Sequence, residues 1–237
     1  KPMYSLIHWI YSLSGNFGLT ILIITILLKV LLFPLAYKSY KSLLRMKVLQ
    51  PKIAEIKKLY DNDNAKIQKA TLELYQKEKI NPLAGCLPML VQMVLFFALY
   101  KVLNITIEMR HAPFFGWIHD LSAPDPTSFL NLFGLLPFPA PHFLHLGAWP
   151  LVMGLTMFLQ MRMNPAPSDP IQGKILAWMP LIFTFTLASF PAGLVIYWTW
   201  NNLLTILQQL VMAKREGVKI DLWNNVLPSF GKDKGGK

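Results

Sequence analysis

A lysine in the middle of an apolar run is the residue with most chemistry to offer. Between Gly18 and Tyr37 the chain reads GLTILIITILLKVLLFPLAY, with Lys29 as its single charged residue. Twenty residues at about 1.5 Å each reach roughly 30 Å, the hydrocarbon thickness of a bilayer. Lys29 is the twelfth, so it falls roughly 16 Å from the start, near mid-depth. A cation there costs about 2.5–3.5 kcal/mol on insertion scales and therefore faces a protein interior or a wet cavity. Snorkelling to the headgroups is the resort of lysines near helix ends, and the nearer end here is eight residues away. The chemistry open to such a cation is electrostatic, the holding of an anionic group at depth. Thr25, four residues earlier, shares its helical face. Gln92 and Asn201 are the polar residues expected deep in later apolar runs, Gln92 serving equally well as an interhelical hydrogen-bond donor.

The elements that would position these groups follow from apolar runs and their punctuation. Residues 1–17 hold Leu6, Trp9, Ile10 and Leu13 at helical spacing, which predicts an amphipathic helix lying in the outer interface. The first span is 18–37. Residues 38–82 form a basic helical hairpin, with a seam at Met46, Leu49, Ile53, Ile56 and Tyr60 and a second at Ile67, Thr71 and Leu74 across the turn at Asp61 to Asn64. Pro51 opens or kinks its first helix. The second span is 83–104, bent by Pro88, and Met89, Met93, Phe96 and Phe97 make one side of it soft and adaptable to apolar partners. Residues 105–147 are a loop. Spans three to five are 148–163, 175–190 and 194–213, with a short loop at 164–174, a kink at Pro180 and a basic tail at 214–237. Two of these runs, at about sixteen residues or roughly 24 Å, are shorter than the hydrocarbon core and would thin the bilayer. The fold class expected is all-α, five transmembrane helices with the hairpin and the interfacial helix added.

Composition agrees. Of 237 residues 54% are hydrophobic and 15% charged, and the mean hydropathy is +0.39. The net charge of +11 is unevenly placed. Residues 38–82 carry eleven of the 23 Lys and Arg, Arg45, Lys47, Lys52, Lys57 and Lys58 among them, whereas 105–147 carry Arg110 alone. That asymmetry makes the hairpin cytoplasmic and the 105–147 loop exported, with the N-terminus out and the C-terminus in. The basic hairpin, with Lys214 and Arg215 beyond the last span, suits phosphates of anionic lipid or of ribosomal RNA. Cys86 has no partner cysteine, so it reads as packing. His111, His119, His142 and His145 lie in the exported loop without the helix-borne glutamate that a zinc hydrolase needs, and no metal or other cofactor is expected. No phosphate-cradling glycine loop, paired membrane carboxylates or nucleophile beside a base is present, so the chain reads as no enzyme. The chain opens at Lys1, on the exported side and without a signal sequence, which predicts a longer protein whose upstream part supplies the export signal.

Four stretches carry a resemblance: IITILLKVLLFPL, INPLAGCLPMLVQMVLFFALY, APFFGWIHDLSAPDP and FPAGLVIYWTWNNLLTILQQ. Together they resemble the shared membrane core of the YidC-type membrane protein insertases, relatives of the mitochondrial and chloroplast insertases, over nearly the whole chain. The resemblance implies a hydrophilic groove open to the cytoplasm and the lipid and closed outside. It places the groove cation at Lys29, the groove threonine at Thr25, the groove glutamine at Gln92 and an aromatic pair at Tyr197 and Trp198. Two departures stand out: lysine where arginine is usual at 29, and tryptophan where a second tyrosine is usual at 198. The implied partners are nascent membrane proteins, the ribosome and targeting machinery, the Sec translocon and anionic lipid, in a bacterial inner membrane. No small-molecule substrate is implied. The competing reading is a small-anion transporter or channel centred on Lys29, and a weaker one is a hydrolase using the exported histidines. Against the transporter, the sequence has no evident repeated halves and no second set of interior charges.

Overall fold

The computed structural model describes residues 2–60, 63–81, 87–105, 111–129, 146–164 and 170–217. Every regular element among them is a helix. Cys86, Pro137, Pro139, Pro141, His142, His145, the turn residues Asp61 and Asn62, and the tail beyond Gly217 lie outside the described residues.

Helix α1 (Pro2–Ser14) turns into α2 (Phe17–Leu31) through Gly15, whose φ of +65° is the left-handed conformation that glycine adopts without a Cβ penalty. Asn16 then caps α2, its side chain accepting from Leu19 N at 3.0 Å. The buried face of α1, Ile7 and Ile10, packs with Phe17, Ile21 and Ile24 of α2. Trp9 and Leu13 lie on the opposite, exposed face.

The expected unbroken first span is broken. α2 stops at Leu31 and α3 (Phe33–Val48) starts with only Leu32 between them, the pair bent by 65°. Pro34 is the physical reason, since it has no N–H for the helical ladder and is accommodated best in the first turn of a helix, where α3 places it. No single described helix is long and apolar enough to cross a bilayer, and the bent α2–α3 pair passes that test together. Beyond a second break at Leu49, Pro51 opens α4 (Gln50–Leu59). α4 packs on α5 (Asn64–Lys77) through Leu49, Ile53, Tyr75 and Ile80. The Lys52–Glu78 ion pair at 2.8 Å joins the start of α4 to the end of α5, as it can only where the two run antiparallel.

The remaining helices are α6 (Leu87–Ile105), α7 (Ala148–Met163), α8 (Pro170–Leu187) and α9 (Ala192–Arg215). α9 is central, with α2 on one side and α7 on the other. Between α7 and α9, Asn202 Nδ2 donates to Thr156 Oγ1 at 3.2 Å. Between α7 and α8 the backbone of Gly154 meets Thr184 closely. A Cβ at 154 would stand 2.0 Å from Thr184 Oγ1, well inside contact distance. Gly154→Ala would recover about 1 kcal/mol of helix propensity, which is less than overpacking typically costs, about 1–3 kcal/mol. Gly154→Val is therefore expected to lower the thermal unfolding midpoint in detergent. Adding Thr184→Ala should recover part of the loss, and a Gly154→Val variant as stable as the parent would contradict the close approach.

Residues 111–129 and 146–147 close one end of this bundle. Ala192 N donates to Ala123 O at 2.7 Å and Gly193 N to Leu121 O at 2.9 Å, so the segment satisfies orphan donors at the start of α9. Ile118 and Leu121 are fully buried beside Leu194 and Ile196. Asp125 accepts from Trp117 Nε1 at 3.1 Å, Thr127 N at 3.0 Å, Thr127 Oγ1 at 2.7 Å and Trp149 N at 2.9 Å. Asp120 is bound more openly. Burial pushes its carboxyl up, but the Ser122 hydroxyl, the Ser122 and His111 backbone N–H groups and the His111 ring together hold it below the ordinary value. A depressed folded-state pKa gives stability that is complete above the unfolded value and lost as pH falls through the folded one. The acid limb below about pH 4 is thus expected to be flatter in Asp120→Asn than in the parent when unfolding is followed against pH. Identical limbs would show that this carboxylate does not contribute.

Candidate functional site

α2 carries two polar side chains, Thr25 and Lys29, on one face, and its neighbours supply the rest of a cavity. The cavity, about 60 Å³, is lined by Thr25, Leu28 and Lys29 of α2, Leu35 and Ala36 of α3, Val91, Gln92 and Leu95 of α6, and Tyr197, Asn201 and Gln208 of α9, with Leu32 at the bend. That volume is room enough for several waters. Its walls are mostly aliphatic, so each polar group in it is set against a low-dielectric background, where electrostatic interactions are strengthened.

Lys29 is half-buried, and its Nζ donates to Thr205 Oγ1 on α9 at 2.7 Å. Thr205 in turn donates to the carbonyl of Asn201, 2.7 Å away on its own helix. Lys29 lies in the last turn of α2, where helix carbonyls run out of intrahelical partners. Gln208 Nε2 donates to its backbone oxygen at 3.3 Å. Among the described residues no ion pair engages the ammonium group. Thr25 is buried, and its hydroxyl donates to its own helix at Ile21 O, 2.7 Å away. The sequence places Thr25 beside Lys29, and the structure gives the direct contact to Thr205 instead.

Across the cavity Gln92 Nε2 donates to the Tyr197 hydroxyl at 2.6 Å, which ties α6 to α9. Trp198 takes a different direction, since adjacent helical residues point about 100° apart. Its ring meets Phe96 edge-on at 5.1 Å and Phe183 at 5.8 Å, and it is not part of the cavity lining. The residues grouped from the sequence as an apolar surface also divide. Met93 and Phe97 are exposed on α6, whereas Phe96 turns inward against Trp198 and Tyr100. Met89 lies within α6, and its side chain is outside the described set. α8 extends the exposed apolar surface with Trp178, Ile182 and Phe185.

Beyond Leu35 and Ala36 along the chain, α3 meets the end of α9. Tyr40 packs with Met212 and Ala213, and Glu216 accepts a hydrogen bond from the Tyr37 hydroxyl while lying 3.9 Å from Lys41 Nζ. Lys214 and Arg215 are exposed beside this joint. Of the hairpin cations, Arg45 and Lys58 are exposed, Lys47 and Lys57 partly so, and Lys52 is exposed but paired with Glu78. They lie apart from the cavity. Two residues of the site went unread in the sequence, Thr205 and Gln208. The available signal was the spacing of Asn201, Thr205 and Gln208, which is four and then three residues and puts all three on one face of α9.

The family described as 60Kd inner membrane protein matches residues 9–219. The chain is 67% identical over 230 residues to the membrane protein insertase YidC of Brucella suis, covering 97% of this chain and 38% of that protein. It is 60% identical over 237 residues to that of Methylobacterium radiotolerans, covering 100% of this chain and again 38% of the relative. The chain therefore spans well under half the length of these curated relatives. Among solved structures it is similar to an active YidC insertase crystal structure with the first transmembrane domain resolved. The TM-score there is 0.63 at 28% identity, covering 88% of this chain and 44% of the other.

Proposed function

Because the chain belongs to the 60Kd inner membrane protein family, we propose that it is the membrane core of an insertase that moves nascent membrane proteins from the cytoplasm into the inner membrane. The observation that carries this reading is the cavity itself, a small space in which one half-buried ammonium, an amide and a phenol stand among aliphatic walls.

In this reading a substrate's short hydrophilic tail enters from the cytoplasmic side. Lys29 attracts its acidic groups, while Gln92, Tyr197 and Asn201 replace part of its lost hydration, which lowers the barrier to crossing. The apolar segment that follows lies along the exposed faces of α6 and α8, Met93 and Phe97 with Trp178 and Phe185. Its release into lipid is favourable by roughly 0.8 kcal/mol for each CH₂ buried, so the step requires no nucleotide and makes no covalent bond. The chain would span the bilayer five times, the α2–α3 pair serving as a bent first span, with the α4–α5 hairpin in the cytoplasm and residues 105–147 exported. Lys47, Lys57 and Lys58 on the hairpin and Lys214 and Arg215 at the end of α9 would meet ribosomal or lipid phosphates, and the Sec translocon would be a partner for larger substrates.

The test is reconstitution in liposomes with a single-span substrate carrying a short acidic tail, insertion being read as protease protection of the tail. Protection that rises with the reconstituted chain and needs no ATP supports the reading. Liposomes that leave the tail unprotected, while passing a small labelled anion, would replace it with a transporter.

A further inference from the structure

We infer that Thr205 and Gln208 are positioning residues that clamp Lys29 from both ends and fix where its charge stands in the cavity. This rests on the insertase reading and deepens it. Two side chains three residues apart on α9 lie on one helical face. One holds the ammonium, Thr205 Oγ1 at 2.7 Å from Nζ, and the other holds the backbone of the same residue, Gln208 Nε2 at 3.3 Å from its carbonyl oxygen. The residue so held sits three positions before the bend at Leu32, where α2 loses its own carbonyl partners. A free lysine side chain has four rotatable bonds and would spread its charge over the cavity or withdraw toward water. The clamp replaces that spread with one place, next to the cavity and facing Asn201 and Tyr197.

The hydroxyl is suited to the task because it holds without neutralising. A carboxylate at 205 would pair with the ammonium and cancel the field, whereas a threonine hydroxyl accepts its hydrogen bond and donates its own to the Asn201 carbonyl, leaving the full positive charge. An incoming carboxylate then competes with a neutral acceptor, a contest it wins because charged acceptors bind an ammonium about twice as strongly. Thr205 is in this sense a parking place from which substrate can collect the cation.

Two measurements test the clamp, both on the chain reconstituted in liposomes. The first is acylation of Lys29 by a small amine reagent, read peptide by peptide by mass spectrometry. Thr205→Val, which keeps the shape and removes the hydroxyl, should raise Lys29 labelling roughly tenfold or more, the weight of one hydrogen bond to a charged group, while Thr205→Ser should label as the parent does. The second is the ratio of acidic-tailed to neutral-tailed substrate inserted, which should fall in Thr205→Val and return in Thr205→Ser. Gln208→Leu should move both readouts in the same direction by less, since it frees the backbone and leaves the ammonium held. Unchanged labelling in Thr205→Val overturns the clamp. Raised labelling with an unchanged ratio shows that the hydroxyl restrains Lys29 without setting selectivity, which also overturns the proposal. Should Lys29→Ala itself leave the ratio unchanged, the fault lies with the electrostatic reading of the groove, and the labelling still decides the clamp.

Discussion

Insertion of an acidic-tailed substrate is expected to fall about tenfold in Lys29→Ala and at least hundredfold in Lys29→Glu, and to persist in Lys29→Arg. Two unit charges about 4 Å apart interact by about 4 kcal/mol at an effective dielectric of 20 and about 1 kcal/mol in water. A small cavity in which polar groups stand among aliphatic walls lies between those limits, so losing the attraction costs something near 1.4 kcal/mol, which is tenfold. Glutamate replaces attraction by repulsion of similar size and adds the burial of a second carboxylate, doubling the penalty or more. Arginine keeps the charge, and its guanidinium can still donate to Thr205 Oγ1. A neutral-tailed substrate should discriminate less among the variants, because only hydration and not charge is at stake. Equal insertion of the acidic tail by all four proteins would remove Lys29 from the mechanism and leave the apolar faces of α6 and α8 as the driving elements.

Lys29 was legible because one charge in an apolar run is a costly exception that composition exposes without any fold. Gln92 and Asn201 were legible on the same ground, and both line the cavity. Pro34 could have been read as a break, yet the apolar run passes through it without interruption, and hydropathy does not sense a missing N–H. Partnerships were not legible. Gln92 and Tyr197 are 105 residues apart, and Lys29 and Thr205 are 176 apart, so only the packing of α9 against α2 and α6 brings them together. Thr205 in LLTILQQ looks like an ordinary helical threonine, because nothing local says that its face turns toward a lysine. Trp198 shows the converse. Its adjacency to Tyr197 suggests one site, and helical geometry sends the two side chains to different faces.

Asp125 was the largest omission, and its replacement is expected to have the largest effect on stability. In sequence it is one carboxylate in SAPDPTS, a pattern that reads as a turn. In the fold it is 2% exposed and does the work of a cap for a helix 23 residues away. The residue preceding α7 is Gly147, which has no side chain with which to cap it. Asp125 Oδ2 accepts from Trp149 N in its place, and Thr127 Oγ1, itself donating to Asp125 Oδ1, accepts from Ala148 N at 2.9 Å. The glycine is needed for this approach, because a Cβ at 147 would fall 2.6 Å from the Asp125 side chain. The carboxylate also lies at the positive end of the α7 dipole. Asp125→Ala removes a cap, about 1–2 kcal/mol, and leaves the half-buried donors of Thr127 without their acceptor, about 1–3 kcal/mol more. A loss of about 3–4 kcal/mol is expected, large against the 5–15 kcal/mol that holds a typical domain together. Asp125→Asn should fall between, since it keeps one acceptor oxygen but turns an NH₂ toward N–H donors. Hydrogen exchange of the peptides spanning 117–129 and 146–150 is the discriminating measurement. Faster exchange there in Asp125→Ala, with α4 and α5 unchanged, would place the effect at this junction, and parental protection in those peptides would show that Asp125 caps nothing of consequence.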